Sequence, residues 1–200
     1  YARRISSNVT RIPIKNLRSE SQTLKAIVEE QRKKNPKGRI IVKEFPPSTI
    51  TPAQLSAFIK KLQKLGIHID AVVLDYLNLL TTSEGSNSYE KIKYLTEQVR
   101  ALSYVFSCPW ISATQLNKSG YNISAPDLTT IGESYGMGAT ADFIASLYQL
   151  EEDAEHGIIR YGLMKNRFGP NFGSHAFKID YPTLTITEDD VISKLPRSEY

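Results

Sequence analysis

Residues 71–80, AVVLDYLNLL, constrain this chain more than any other stretch. Ala71 to Leu74 are apolar without interruption, and an aspartate follows at once. An amphipathic helix would show apolar residues at spacings of three and four, and a half-exposed strand would alternate. A short apolar run that gives way to the polar loop TTSEGSNS predicts instead a strand buried on both faces, as in a parallel sheet. The carboxylate of Asp75 then stands at the carboxyl edge of that sheet, where open α/β sheets bind their ligands.

The flanking sequence supplies the helices that a parallel sheet requires. Residues 19–34 carry Leu24, Ile27 and Val28 as one apolar stripe among Glu and Lys, and NPKG stops them. RIIVKEF, residues 39–45, reads as a strand ended by Pro46 and Pro47. Thr51 has the pattern of an N-cap, with Pro52 at the first helical position and Gln54 at the capping-box position. The helix after it sets Leu55, Phe58, Ile59, Leu62 and Leu65 on one face, and Gly66 terminates it. Past the strand at 71, a second amphipathic helix carries Ile92, Leu95, Val99, Leu102 and Phe106. PWISATQ reads as the next strand, and the Gly- and Ser-rich residues 117–140 as a loop with a short helix inside. DFIASLYQL, GIIRYGLMKN, SHAFKID and TLTIT read as four late strands, and the tail from about residue 190 as loose. The order predicts an α/β sheet that is parallel in its first part, with antiparallel strands added at its C-terminal edge.

Composition excludes several classes. With 40% hydrophobic and 23% charged residues, the 200-residue chain is an ordinary globule and not a disordered one. No apolar run reaches the ~20 residues of a membrane helix. The start, YARRISS, has neither an initiator Met nor a signal-peptide core, so the chain is expected to begin inside a longer protein. The single cysteine, Cys108, excludes a disulfide framework and fits a reducing cytosol, which makes the sequons at Asn8, Asn117 and Asn122 chance matches. A net charge of +4 and a pI near 9.0 are compatible with a nucleic-acid partner without requiring one.

Three groups of residues could carry chemistry, and each also has a plainer reading. Asp75 can hold Mg²⁺ through water, or it merely caps the loop after its strand. Gln115 ends the strand that contains Ser112 and Thr114; its amide can sense a phosphate or water, or it is simply solvated. Lys165 and Arg167, in MKNRFGP, alternate by two and so share one face of a strand. Two such cations suit a polyphosphate, with Arg167 capable of bidentate contact, or they protect an exposed edge. Gly169 and Pro170 turn the chain away. His68, His156 and His175 have no metal-ligand spacing.

Taken in order, these segments resemble the later part of the RecA-like ATPase domain of DnaB-family replicative helicases, phage type. VVLDYLNLL is similar to the family's Walker B segment, ISATQLNKSG to its Gln-Leu-Asn segment, MKNRFGP to its Lys-x-Arg-x-Gly-Pro segment, and GESYGMGATADFI to the loop that leads to Ala-Asp. The resemblance runs from about residue 2 to 187. It implies a RecA-like three-layer fold, a homo-hexameric ring, ATP with Mg²⁺ as cofactors, single-stranded DNA as the track, a primase and a helicase loader as partners, and a cytoplasmic location without a membrane. It implies that Asp75 is the magnesium-linked carboxylate and Gln115 the γ-phosphate sensor. It assigns Lys165 and Arg167, with Gly169 beside them, to the ATP of the neighbouring subunit, Arg167 as an arginine finger. Asn117, Lys118, Gly132, Glu133, Ser134 and Gly136 fall in the DNA-binding loop.

Two departures stand out. No G-x-x-x-x-G-K-[ST] occurs in these residues, so the phosphate cradle is expected upstream of Tyr1 or lost, which leaves the N-terminal P-loop unit missing from the fold and these 200 residues inactive by themselves. Relatives carry an arginine immediately before Glu-Ser, where this chain has Gly132; a backbone amide or another cation such as Lys118 would take over its contact. A native loss of the cradle would instead fit a non-catalytic RecA-like mediator of recombination, or a helicase-loading or DNA-binding protein. A recombinase or clock-type RecA ATPase shares the fold and differs in the wording of the motifs.

Overall fold

The chain is described by a computed structural model covering residues 1–114, 135–170 and 174–188. Among these residues, six helices and six strands follow one another: α1 (Ala2–Thr10), α2 (Ser21–Lys34), α3 (Pro52–Lys64), β1 (Val72–Leu74), α4 (Ser88–Phe106), β2 (Trp110–Ser112), α5 (Tyr135–Thr140), β3 (Phe143–Tyr148), α6 (Glu151–His156), β4 (Ile158–Asn166), β5 (Ser174–Asp180) and β6 (Thr185–Thr187). Short 3-10 turns stand at Ile14–Asn16 and Leu77–Leu79. β1 and β2 pair in parallel, and β3-β4-β5-β6 form a second sheet in that order, with β5 and β6 antiparallel. The described residues fall into two units, one of residues 45–114, 135–146 and 162–170 and one of residues 1–44, 147–161 and 174–188.

The first unit is built around one apolar cluster. Thr51 begins α3 as its sequence requires. Its Oγ1 accepts the Gln54 N–H at 3.2 Å, and Gln54 Oε1 accepts the Thr51 N–H at 2.9 Å, which completes the capping box ahead of Pro52. Leu55 and Ile59 of α3 meet Ile92, Leu95, Val99 and Phe106 of α4 in the core, with Leu77, Leu80 and Cys108 beside them. Gly66 follows α3 with φ +76°, a left-handed turn that glycine adopts without strain. Replacing Thr51 with alanine should cost about 1 kcal/mol through loss of the cap, measured as a lower urea midpoint with an unchanged slope.

Three expectations fail here. Val73 is 73% exposed and Ile111, its neighbour in register on β2, is 58% exposed. The two-stranded sheet therefore packs one face on the helices and leaves the other uncovered by any described residue, rather than burying both. Residues 39–45 belong to neither sheet, and Ile40 is 72% exposed. β-branched residues favour a strand only where an edge is available to pair with. Leu65, at the last turn of α3, is exposed, so the apolar stripe ends at the partly buried Leu62. α2 forms as expected but buries none of its residues.

In the second unit, α6 interrupts the late strands. Gly157 closes it with φ +64°, and a Cβ there would lie 3.1 Å from the Ile179 carbonyl. The Ile179 N–H donates to the Gly157 carbonyl at 2.8 Å, which holds the two backbones at this close approach. The short helix predicted inside residues 117–140 is α5; the tail from residue 190 lies outside the described residues.

Candidate functional site

The parallel register sets Leu74 opposite Ser112, so β1 and β2 end together. Asp75 leaves β1 at the edge from which residues 113 and 114 leave β2. The Ser112 hydroxyl fastens that edge: it donates to the Leu74 carbonyl at 2.9 Å and accepts the Leu77 N–H at 3.0 Å. Leu77 and Leu80 are buried, which anchors the turn from below, and the Asp75–Tyr76 peptide is cis. Asp75 itself is exposed at this rim. No group of three or more His, Cys, Asp or Glu able to hold a metal exists among the described residues. A single exposed carboxylate fits Mg²⁺, which takes one or two protein carboxylates and draws its other ligands from water and substrate phosphates. Gln115, Asn117, Lys118, Gly132, Glu133 and Ser134 lie outside the described residues, and Gly136 falls within α5.

Both cations meet residues 138–142. Lys165 Nζ donates to the Gly138 carbonyl at 2.6 Å and to the Ala139 carbonyl at 3.1 Å, at the C-terminal end of α5, where exposed carbonyls attract positive charge. Arg167 follows the last residue of β4. Its backbone N–H donates to the Asp142 carbonyl at 2.9 Å, and its Nη1 donates to Asp142 Oδ1 at 2.6 Å. Arg167 thus pairs with an acid of its own chain, but its side chain stays 43% exposed and that of Asp142 39%. An ion pair at this exposure contributes about 0–1 kcal/mol, so a phosphate can compete for the guanidinium. The Arg167–Phe168 turn leads into Gly169 and Pro170 as the sequence predicts.

Sequence reasoning missed two participants. Asp142 Oδ1 also accepts Arg100 Nη2 at 2.9 Å, while Arg100 Nη1 donates to the Thr140 carbonyl at 2.5 Å. Arg100 stands next to the buried stripe of α4, and a cation in that position was the one available signal. Its partner is 42 residues away in sequence.

This α/β fold brings a carboxylate to the edge of a parallel pair, and two cations to the end of a later strand. Two solved structures share the fold. One is an ATPase domain, which matches with a TM-score of 0.77 and 16% identity, over 94% of this chain and 69% of that one. The other, a DnaB-like replicative helicase studied with its primase interactions, matches with a TM-score of 0.77 and 16% identity, over 94% of this chain and 48% of that one. The chain belongs to the DnaB-like helicase C-terminal domain family, whose profile matches residues 1–181. It is also similar to the DnaB-like replicative helicase of Enterobacteria phage T4, 29% identical over 152 residues, which are 72% of this chain and 32% of that protein. The chain therefore spans about a third of the curated relative it matches.

Proposed function

We propose that this chain is the later part of the motor domain of an ATP-driven replicative helicase, which moves along single-stranded DNA as a homo-hexamer and unwinds duplex at the fork. The observation that carries this reading is the family match over residues 1–181, which takes in Asp75, Gln115, Lys165 and Arg167 together. In the ring, one subunit contributes the cradle, Asp75 and Gln115 to a nucleotide. Its neighbour contributes Lys165 and Arg167, with Gly169 turning the chain behind them. Asp75 would hold Mg²⁺ with ATP, and the ion would supply charge neutralisation at the phosphates. Asp75 holds the ion's water shell; Gln115 contacts the γ-phosphate and opens the segment carrying Asn117, Lys118, Gly132, Glu133, Ser134 and Gly136 to DNA. The cradle itself is assigned to the part of the ATPase domain that this chain does not span, so these 200 residues alone would not turn over ATP. The relative studied with primase suggests a primase partner here as well, and a ring that must open onto DNA suggests a loader. No described helix is long and apolar enough to cross a membrane, and the cytoplasm, that of the host cell if the protein is phage-encoded, is the compartment this role requires.

Asp75→Asn tests the magnesium assignment in the intact protein. Loss of one carboxylate from a Lewis-acid site is worth several kcal/mol, so turnover should fall by about 10²-fold or more and require more Mg²⁺ for half-maximal rate. A variant with the parent's rate and magnesium dependence would return Asp75 to the role of a loop residue.

A further inference from the structure

The Arg100–Asp142–Arg167 cluster has a direction. Side-chain exposure rises along it, from 25% at Arg100 to 39% at Asp142 and 43% at Arg167. At its inner end, Arg100 is held twice, by the Thr140 carbonyl and by Asp142 Oδ1. At its outer end, Arg167 is held twice by Asp142, through the backbone and through Nη1. Among the described residues Asp142 is the only partner of the Arg167 side chain, and none of them bonds to the Nε and Nη2 edge, which suits a bidentate phosphate contact.

We infer that Arg100 is a positioning residue for Arg167, acting through Asp142; this rests on the reading of Arg167 as the finger for the neighbouring nucleotide. Two effects combine, one steric and one electrostatic. A long arginine side chain samples many rotamers unless something fixes it, and reaction rates fall steeply when a catalytic group is misplaced by about 1 Å. Asp142 supplies the fixed point, and Arg100 fixes Asp142. In charge, an Asp–Arg pair alone is neutral, and a phosphate would have to draw Arg167 away from its carboxylate. With Arg100 on the same oxygen the trio keeps a net positive charge, so Asp142 can orient the guanidinium without cancelling it. The alternative is that Arg100 only braces α4 against the segment between α5 and β3.

The intact helicase separates the two. In Arg100→Gln and in Asp142→Asn, kcat for DNA-stimulated ATP hydrolysis should fall roughly 10–100-fold, the range seen when supporting groups around a reactive centre are removed. KM for ATP should change less than about threefold, because the ground-state contacts of the cradle are untouched. The double variant should be no slower than the worse single one, since both act on the same guanidinium. Arg100→Lys keeps the charge and should recover part of the loss. If Arg100→Gln runs within about twofold of the parent while Arg167→Ala has collapsed, the relay is refuted and the finger stands. Losses that multiply in the double variant, or a KM change as large as the kcat change, also refute it. Turnover persisting in Arg167→Ala would remove the finger and this inference together.

Discussion

Arg167→Ala in the intact helicase is expected to bind nucleotide nearly as tightly as the parent and to lose DNA-stimulated ATP turnover by about 10³–10⁵-fold, the range of arginine fingers in other phosphoryl-transfer enzymes. The contact matters in the transition state, when charge spreads over the transferring phosphoryl oxygens, and little before it. That is why kcat, and not the binding constant, is the quantity to measure. The surroundings of Arg167 make the variant a clean probe. Its side chain is 43% exposed, so truncation opens no cavity in the core. Asp142 keeps Arg100 as a partner at 2.9 Å, so no carboxylate is orphaned. The cost in stability should stay near the ~0–1 kcal/mol of a surface pair. A collapse of turnover with an unchanged melting temperature therefore identifies chemistry, and if Arg167 serves the site next door, as proposed, mixed rings of parent and variant subunits should lose activity as the variant fraction rises. Unchanged turnover would take Arg167 out of the mechanism.

How far the sequence reached depends on the range of the interaction in question. α3 was legible because Thr51, Pro52 and Gln54 act within one turn of one another. α4 was legible because Ile92, Leu95, Val99 and Phe106 repeat at helical spacing and do reach the core. The parallel pairing of β1 with β2 followed from the strand–helix–strand order, which leaves few other topologies. Residues 39–45 were misjudged because β-propensity says nothing of whether a neighbouring edge is present. Val73 was misjudged for the same reason: an apolar side chain marks a face fit to be covered and does not supply the cover. In the candidate site, Asp75, Lys165 and Arg167 were singled out through strand ends and alternation. Arg100 and Asp142 were not, because only tertiary folding brings α4 to the start of β3.

The largest stability effect is expected in the second unit, at a buried ion pair. Asp153 in α6, within EEDAEH, is 2% exposed and Arg160, on β4, is 12% exposed. Arg160 Nε donates to Asp153 Oδ2 at 2.7 Å and Nη2 donates to Oδ1 at 2.9 Å; Oδ2 also accepts the Leu150 N–H at 3.0 Å at the start of α6. Burial by itself would raise the Asp153 carboxyl above its usual range. The hydrogen bonds from Arg160 and Leu150 outweigh that burial and hold it below 3.8. Arg160→Ala leaves this carboxylate buried with its counter-charge gone and should cost about 3–5 kcal/mol in urea denaturation. Replacing both partners with apolar residues, Asp153→Leu with Arg160→Met, should recover most of the loss, since the desolvation of two charges disappears with them. A lowered native pKa means that the pair's stabilisation is fully present above the unfolded value near 3.8 and is lost as pH falls through the lower native value. The parent should therefore lose stability steeply in acid below about pH 4, and the apolar double variant should show a shallower slope there. An Arg160→Ala cost under about 1 kcal/mol, the level of an exposed pair, would mean that water reaches Asp153 and that the pair does not hold α6 to β4.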